Sequence, residues 1–233
     1  MIRKYDSRLM GRNHLEWLES YYHFSFADYY NQNRLRFGML RVINDDEIRP
    51  QTGFDVHPHE NMEIITYVVR GELTHGDSLQ NKRTLKRGEV QYMSAGTGIS
   101  HSEMNMGDEL LRLLQIWIFP DRNGYEPQYG DLQLPWEERE GRWLLLVSGE
   151  EGEGPVKIHQ DMNIYVSVLT EGGALKYEVG DRRQAYLVLI EGEAEINGIG
   201  LRERDGVEIT EPFILTAKPY CHVILFEMRR TIR

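Results

Sequence analysis

Short runs rich in Val, Ile, Leu, Tyr and Thr recur along this chain about every ten residues, and 22 glycines punctuate them. That spacing is the signature of an antiparallel all-β fold. The apolar runs fall at residues 35–43, 63–69, 90–93, 110–119, 143–147, 165–169, 186–190, 207–209 and 223–226, each with a β-branched or aromatic bias. Helices are expected to be few and short; one candidate covers residues 14–22, where Leu15 and Leu18 flank Trp17.

The expected architecture is two tandem jelly-roll-like β-sandwiches. At 233 residues the chain can bury two cores. The stretch 121–141 holds Asn123, Gly124, Pro127, Gly130 and Pro135 and reads as a linker or long crossover. It divides the chain into residues 1–133 and residues 134–233. An internal repeat supports the division: Tyr67-Val68-Val69-Arg70-Gly71-Glu72-Leu73 has a counterpart in Leu187-Val188-Leu189-Ile190-Glu191-Gly192-Glu193-Ala194. Further on, Leu85-Lys86-Arg87-Gly88-Glu89-Val90 resembles Leu201-Arg202-Glu203-Arg204-Asp205-Gly206-Val207.

Charge and cysteine usage narrow the function classes. The formal net charge of −10 repels phosphate backbones, which argues against direct nucleic-acid binding, and equally against anionic membrane surfaces. The lone Cys221 permits no intrachain disulfide and reads as a small buried hydrophobe, which suits a reducing cytoplasm. No run of apolar residues is long enough to span a bilayer, and the first residues lack the apolar segment of a signal peptide.

Two short motifs carry the chemistry: His57-Pro58-His59 and His101-Ser102-Glu103. Residues i and i+2 share a face only on extended backbone, so each pair makes a chelate on a strand and not on a helix. Neighbouring strands would present three imidazoles and one carboxylate to a common point, as a divalent metal requires. Glu63, taken to share the parity of His57 and His59, is an alternative carboxylate. His14, His23, His75, His159 and His222 read as surface or hydrogen-bonded histidines, and Gly96-Thr97-Gly98 as a turn rather than a phosphate loop. Counting back from Gly192 as from Gly71 lands on Glu178 and Gly180, so the second half is expected to bind no metal.

Residues 14–120 resemble the cupin superfamily, and within it the pirin family. The carrying residues are His57-X-His59-X3-Glu63-X7-Gly71 and Gly88-X7-Gly96-X-Gly98-X2-His101-X3-Asn105, with Leu40-Arg41-Val42-Ile43-Asn44-Asp45-Asp46 and Gly71-Glu72-Leu73-Thr74-His75-Gly76-Asp77 outside them. Lys157-Ile158-His159-Gln160-Asp161-Met162 looks like the short bacterial branch, described as quercetin 2,3-dioxygenases, and the second half resembles a degenerate cupin. The resemblance implies a bicupin whose metal is held by His57, His59, His101 and Glu103, with Glu63 outside the ligand set. It implies one divalent ion, Fe(II) first, with Mn, Ni, Cu or Zn also accepted by such a site. It further implies an enzyme that opens the central ring of a flavonol such as quercetin with O2 and releases carbon monoxide, Glu103 acting as ligand and as base. The alternative it carries is a non-catalytic, metal-dependent regulator or small-molecule binder with a protein partner.

Overall fold

The computed structural model describes residues 1–230 and builds them from strands joined by tight turns: β1 (Ile2–Tyr5), β2 (Gly11–His14), β3 (Leu18–Tyr22), β4 (Leu40–Ile48), β5 (Thr52–His59), β6 (Glu63–Arg70), β7 (Glu72–Asp77), β8 (Lys82–Lys86), β9 (Val90–Ser94), β10 (Ile99–Asn105), β11 (Leu111–Ile118), β12 (Gln128–Leu132), β13 (Leu144–Gly149), β14 (Val156–Ile158), β15 (Met162–Leu169), β16 (Ala174–Tyr177), β17 (Arg183–Ile196), β18 (Ile199–Arg202), β19 (Gly206–Ile209) and β20 (Phe213–Arg229). The helical content of the described residues is two 3-10 turns, Ser7–Leu9 and Trp136–Arg139. The all-β, two-unit expectation therefore holds.

Two expected elements differ. The helix expected over residues 14–22 is the hairpin of β2 and β3, because Leu18, Ser20 and Tyr22 are buried in alternation with half-buried neighbours, a period of two, while Leu15 is exposed. Within the stretch 121–141, expected to be a linker, residues 128–132 form a strand that pairs with β9 from Gln128↔Ser94 to Leu132↔Val90.

The chain forms two compact units. One contains Gly11–Pro135 and Ile158–Gln160; the other contains Met1–Met10, Trp136–Lys157 and Asp161–Arg233. Beside a single cut between residues 133 and 134, this division places two short segments differently. The N-terminal β1 pairs with β19 from Ile2↔Ile209 to Tyr5↔Gly206 and so belongs to the unit of the C-terminal strands. In the other direction His159 donates its backbone N–H to the Glu63 carboxylate, which ties residues 158–160 to the first unit.

The first unit is a sandwich of a seven-stranded sheet, in the order β12-β9-β6-β11-β4-β3-β2, and a four-stranded sheet, β5-β10-β7-β8. The second is a nine-stranded antiparallel sheet system around the long strands β17 and β20. One face of it packs an apolar cluster that includes Leu187, Leu189, Val207, Phe213, Leu225 and Cys221, and burial pushes the Cys221 thiol up to about 11, so the residue is a hydrophobe.

The internal repeat is visible in the backbone. Gly71 and Gly192 both take left-handed dihedrals with a carbonyl, of Leu110 and of Tyr220, where a Cβ would sit. Val68 exchanges hydrogen bonds with Gly88 and Glu89, and Leu189 does the same with Arg204 and Asp205. Gly88 thus corresponds to Arg204, which takes the left-handed conformation without glycine's freedom.

Candidate metal centre

The seven-stranded sheet turns one face towards the four-stranded sheet, and along β6 that face carries Ile64, Thr66 and Val68. Cross-strand registry aligns Thr66 with Gln115 on β11 and Gln91 on β9, and Gln115 with Asn44 on β4. The result is a buried polar row, Asn44-Gln115-Thr66-Gln91. On one side of it lies an apolar cluster of Val68, Leu73, Leu85, Leu111 and Leu113; on the other, a cluster of Ile64, Met93, Ala95 and Ile99. A polar row in an apolar interior is costly unless each member is partnered. Glu103 supplies the partner for three of the four: its Oε1 accepts from Thr66 Oγ1 at 2.9 Å and Gln91 Nε2 at 2.7 Å, and its Oε2 accepts from Gln115 Nε2 at 2.5 Å. A carboxylate has about four lone-pair sites, so Oε1 is saturated and Oε2 keeps one acceptor position.

Glu103 sits on β10, the strand that also carries His101. On β5, registry sets His57 opposite His101 and His59 opposite Ile99. A bulge between His101 and Glu103 gives β5 one extra residue, so that Phe54 rather than Asp55 faces Glu103. Such bulges re-aim side chains beside functional sites. Here the bulged segment also fixes a tautomer: His57 Nδ1 lies 2.7 Å from the Asp55 carbonyl oxygen, to which it donates, leaving Nε2 with a free lone pair. The rings of His57, His59 and His101 form a compact triangle with centroid separations of 4.8, 4.5 and 5.0 Å. Their ligating nitrogens all lie within 4.8 Å of one another, and this is the one such cluster among the described residues. Trp117 packs edge-on against His59 at 4.9 Å.

The residues present fit a divalent metal ion. Metal ligation needs neutral imidazoles, and burial followed by the neighbouring histidines pushes His59 down to about 4 and His101 down to about 2. Both ring nitrogens of His101 are buried without a hydrogen-bond partner, an arrangement with no return unless something binds there. His57 and His59 are half-buried, and a depression of about 350 Å³ at the end of β5 and β10, lined by Pro58, Glu60, Ser78 and Ser100 among others, reaches His59. The converging cluster is three imidazoles, and Glu103, two residues from His101 on β10, is held by the amides of Gln91 and Gln115.

Glu63 is not an alternative. The turn between β5 and β6, with Asn61 in the left-handed region, breaks the parity counted from His59. Glu63 lies on the sheet face opposite to Thr66, where it accepts from Ser94 Oγ at 2.7 Å and pairs with His159. His159 in turn stacks on Tyr125 at 3.6 Å.

Several buried polar residues escaped the sequence reading. Thr66, Gln91 and Gln115 are each one polar residue in an apolar run, Asn44 opens a polar run, and only strand pairing unites the four. Asp46, on the same face as Asn44, is pushed up to about 7 by burial, against a hydrogen bond from Ser20 and with Asp45 and Glu103 adding to the rise. The folded metal-free chain therefore holds a proton on Asp46 that the unfolded chain releases. The stability this confers is whole below about pH 4 and is lost as pH rises to about 7, up to about 4 kcal/mol in all. Asp46→Asn is expected to remove that contribution, so that in chemical denaturation of the metal-free protein the parent loses more stability than the variant between pH 5 and pH 8. Identical slopes for variant and parent would refute the assignment.

With this geometry in place, the comparisons with known proteins can be read. The pirin family profile matches residues 4–118, and a profile described as the quercetinase C-terminal cupin domain matches residues 145–228. A Pseudomonas aeruginosa protein is 46% identical over 231 residues, 98% of this chain and all of that one. The quercetin 2,3-dioxygenase of Escherichia coli K12 is 40% identical over 230 residues, 97% of each chain. Among solved structures, YhhW of Escherichia coli superposes with a TM-score of 0.94 at 37% identity over the whole of both chains. The same bacterial pirin in complex with nickel(II) gives a TM-score of 0.93, covering 99% of this chain and 100% of that one. Identity at this level over full length, with the two cupin units and the histidine triangle in place, makes the chain a member of the pirin family of the cupin superfamily.

Proposed function

We propose that this protein is a metal-dependent dioxygenase that opens the central ring of a flavonol such as quercetin with O2, releasing carbon monoxide. The observation that carries the reading is the triangle of three converging imidazoles, reached by a depression at His59, with an amide-cradled carboxylate on the same strand as His101. Relatives named quercetin 2,3-dioxygenase and the nickel(II) complex of a bacterial pirin support it.

His57, His59 and His101 would hold the ion, with Fe(II) first among the candidates and Glu103 able to join through the remaining position on Oε2. When bound, the ion supplies a positive centre for a deprotonated flavonol and redox chemistry with O2. The chain's own residues set the rest. Hydrogen bonding of His57 to Asp55 orients that ring. Thr66, Gln91 and Gln115 immobilise Glu103, whose carboxyl burial pushes up towards greater basicity, with hydrogen bonds from Thr66 and Gln115 opposing the rise. The one open position on Oε2 could serve either to help hold the ion or to accept the proton of a substrate hydroxyl.

Aerobic mixing of metal-loaded protein with quercetin tests the reading. Continuous loss of the flavonol absorption band, absent after the metal is stripped and restored on reloading, is the expected result. A shift that saturates at one flavonol per chain without loss would make the protein a binder and favour the regulatory alternative.

A further inference from the structure

His75-Gly76-Asp77 is a third i, i+2 pair of chemistry-bearing residues, on β7 alongside β10. Registry sets Asp77 opposite His101 and His75 opposite Glu103, so the pair shares the inward face with the proposed ligands. His75 is fully buried, and its Nε2 lies 2.9 Å from Asp77 Oδ2. Asp77 is already saturated with donors, accepting from the backbone N–H groups of Leu79 and Asn81 and from the Asn81 side chain. A carboxylate so surrounded accepts and does not donate, so the hydrogen between the two residues belongs to His75 Nε2. That leaves His75 Nδ1 as an acceptor, and it is buried without a partner. The ring cannot swing away, because Tyr129 stacks on it at 4.5 Å with an interplanar angle of 18°.

The complementary vacancy is on His101. Its ring lies 5.4 Å from that of His75, centroid to centroid, and neither of its nitrogens has a partner. A histidine that gives one nitrogen to a metal donates the other N–H to an acceptor, which fixes ring orientation and raises ligand basicity. His75 Nδ1 is an acceptor of the required kind, next to the ring that needs one. We infer that Asp77 and His75 form a positioning relay for His101, with His75 Nδ1 accepting the His101 N–H directly or through one water, so that the other His101 nitrogen faces His57 and His59. The relay rests on the three-imidazole metal site of the proposed function. It makes His75 and Asp77 positioning residues, acting on the metal through His101.

The test uses the full-length, metal-stripped chain and Co(II), with affinity read by competition against a chelator and the site read by the Co(II) visible absorption. His75→Phe keeps an aromatic ring on Tyr129 but removes the acceptor; His75→Gln restores a carbonyl acceptor. The expected result is a loss of about 10–100-fold in Co(II) affinity with a changed absorption spectrum for His75→Phe. His75→Gln should recover most of both, and metal-free melting temperatures should not follow the same order. Asp77→Asn, which weakens the anchor without touching the ring, should lose affinity in the same direction and decides the matter if His75→Phe does not fold. Equal Co(II) affinity and spectrum in parent, His75→Phe and Asp77→Asn would overturn the relay while leaving the metal site standing. A parent chain that binds no Co(II) at all would overturn both.

Discussion

The double replacement His57→Ala, His59→Ala is expected to abolish metal binding, taking the metal content of purified protein from near one ion per chain to a small residue. The two imidazoles are two sides of a triangle whose third member, His101, cannot hold a divalent ion alone; the loss exceeds the roughly 10–100-fold that follows from removing a mere outer partner of a ligand. Both side chains are half-buried on β5 near the depression, so alanine leaves no large core cavity and folding should survive. One ion per chain is expected because no second cluster of three ligating residues occurs among the described residues, and the repeat places Glu178 and Gly180 where His57 and His59 would be. Elemental analysis of parent and variant, purified without added metal, reads the result. Retention of stoichiometric metal by the variant, or two ions per parent chain, contradicts the site.

Replacing Glu103 by Gln should lower flavonol turnover by roughly 100-fold or more in whatever fraction stays metal-loaded, the scale of a lost general base. The change preserves size, and the new amide oxygen can still accept from Thr66 and Gln91. What disappears is the negative charge, the basicity and the acceptor that Oε2 offers to Gln115 Nε2. Glu63→Gln is the internal control: its carboxylate faces Ser94 and His159 on the other side of the sheet, so its loss should reduce stability and spare turnover. If Glu63→Gln kills turnover and Glu103→Gln does not, the roles given to the two carboxylates are reversed. Steady-state rates normalised to bound metal distinguish these cases.

How much of this could be read from residues alone follows from the physics of strands. The pairs His57/His59 and His101/Glu103 stood out because a period of two is strict wherever backbone stays extended, and the three imidazoles do converge. Glu63 misled because the same count was carried through Glu60-Asn61-Met62, where the left-handed Asn61 resets it. The polar run Asn44-Asp45-Asp46-Glu47 resembles a loop in composition, yet it is the middle of β4. Asp45 is paid for on one face by a two-point ion pair with Arg112, at 2.8 and 2.6 Å, while Asn44 and Asp46 enter the interior on the other. Neither partner is near in sequence. The amide cradle was invisible for the same reason: Thr66, Gln91 and Gln115 lie on three strands, and only pairing registers them against Glu103. His75 and Asp77 were legible in principle, since they share the spacing that exposed the other two pairs.

The most direct test of the account is the gas released per flavonol consumed. Metal-loaded protein mixed with quercetin under ¹⁸O2 should release one carbon monoxide for each quercetin lost and place both atoms of one O2 in the ring-opened product, and the His57→Ala, His59→Ala variant should do neither. Quercetin loss without carbon monoxide, or the same yield from the variant as from the parent, would contradict it.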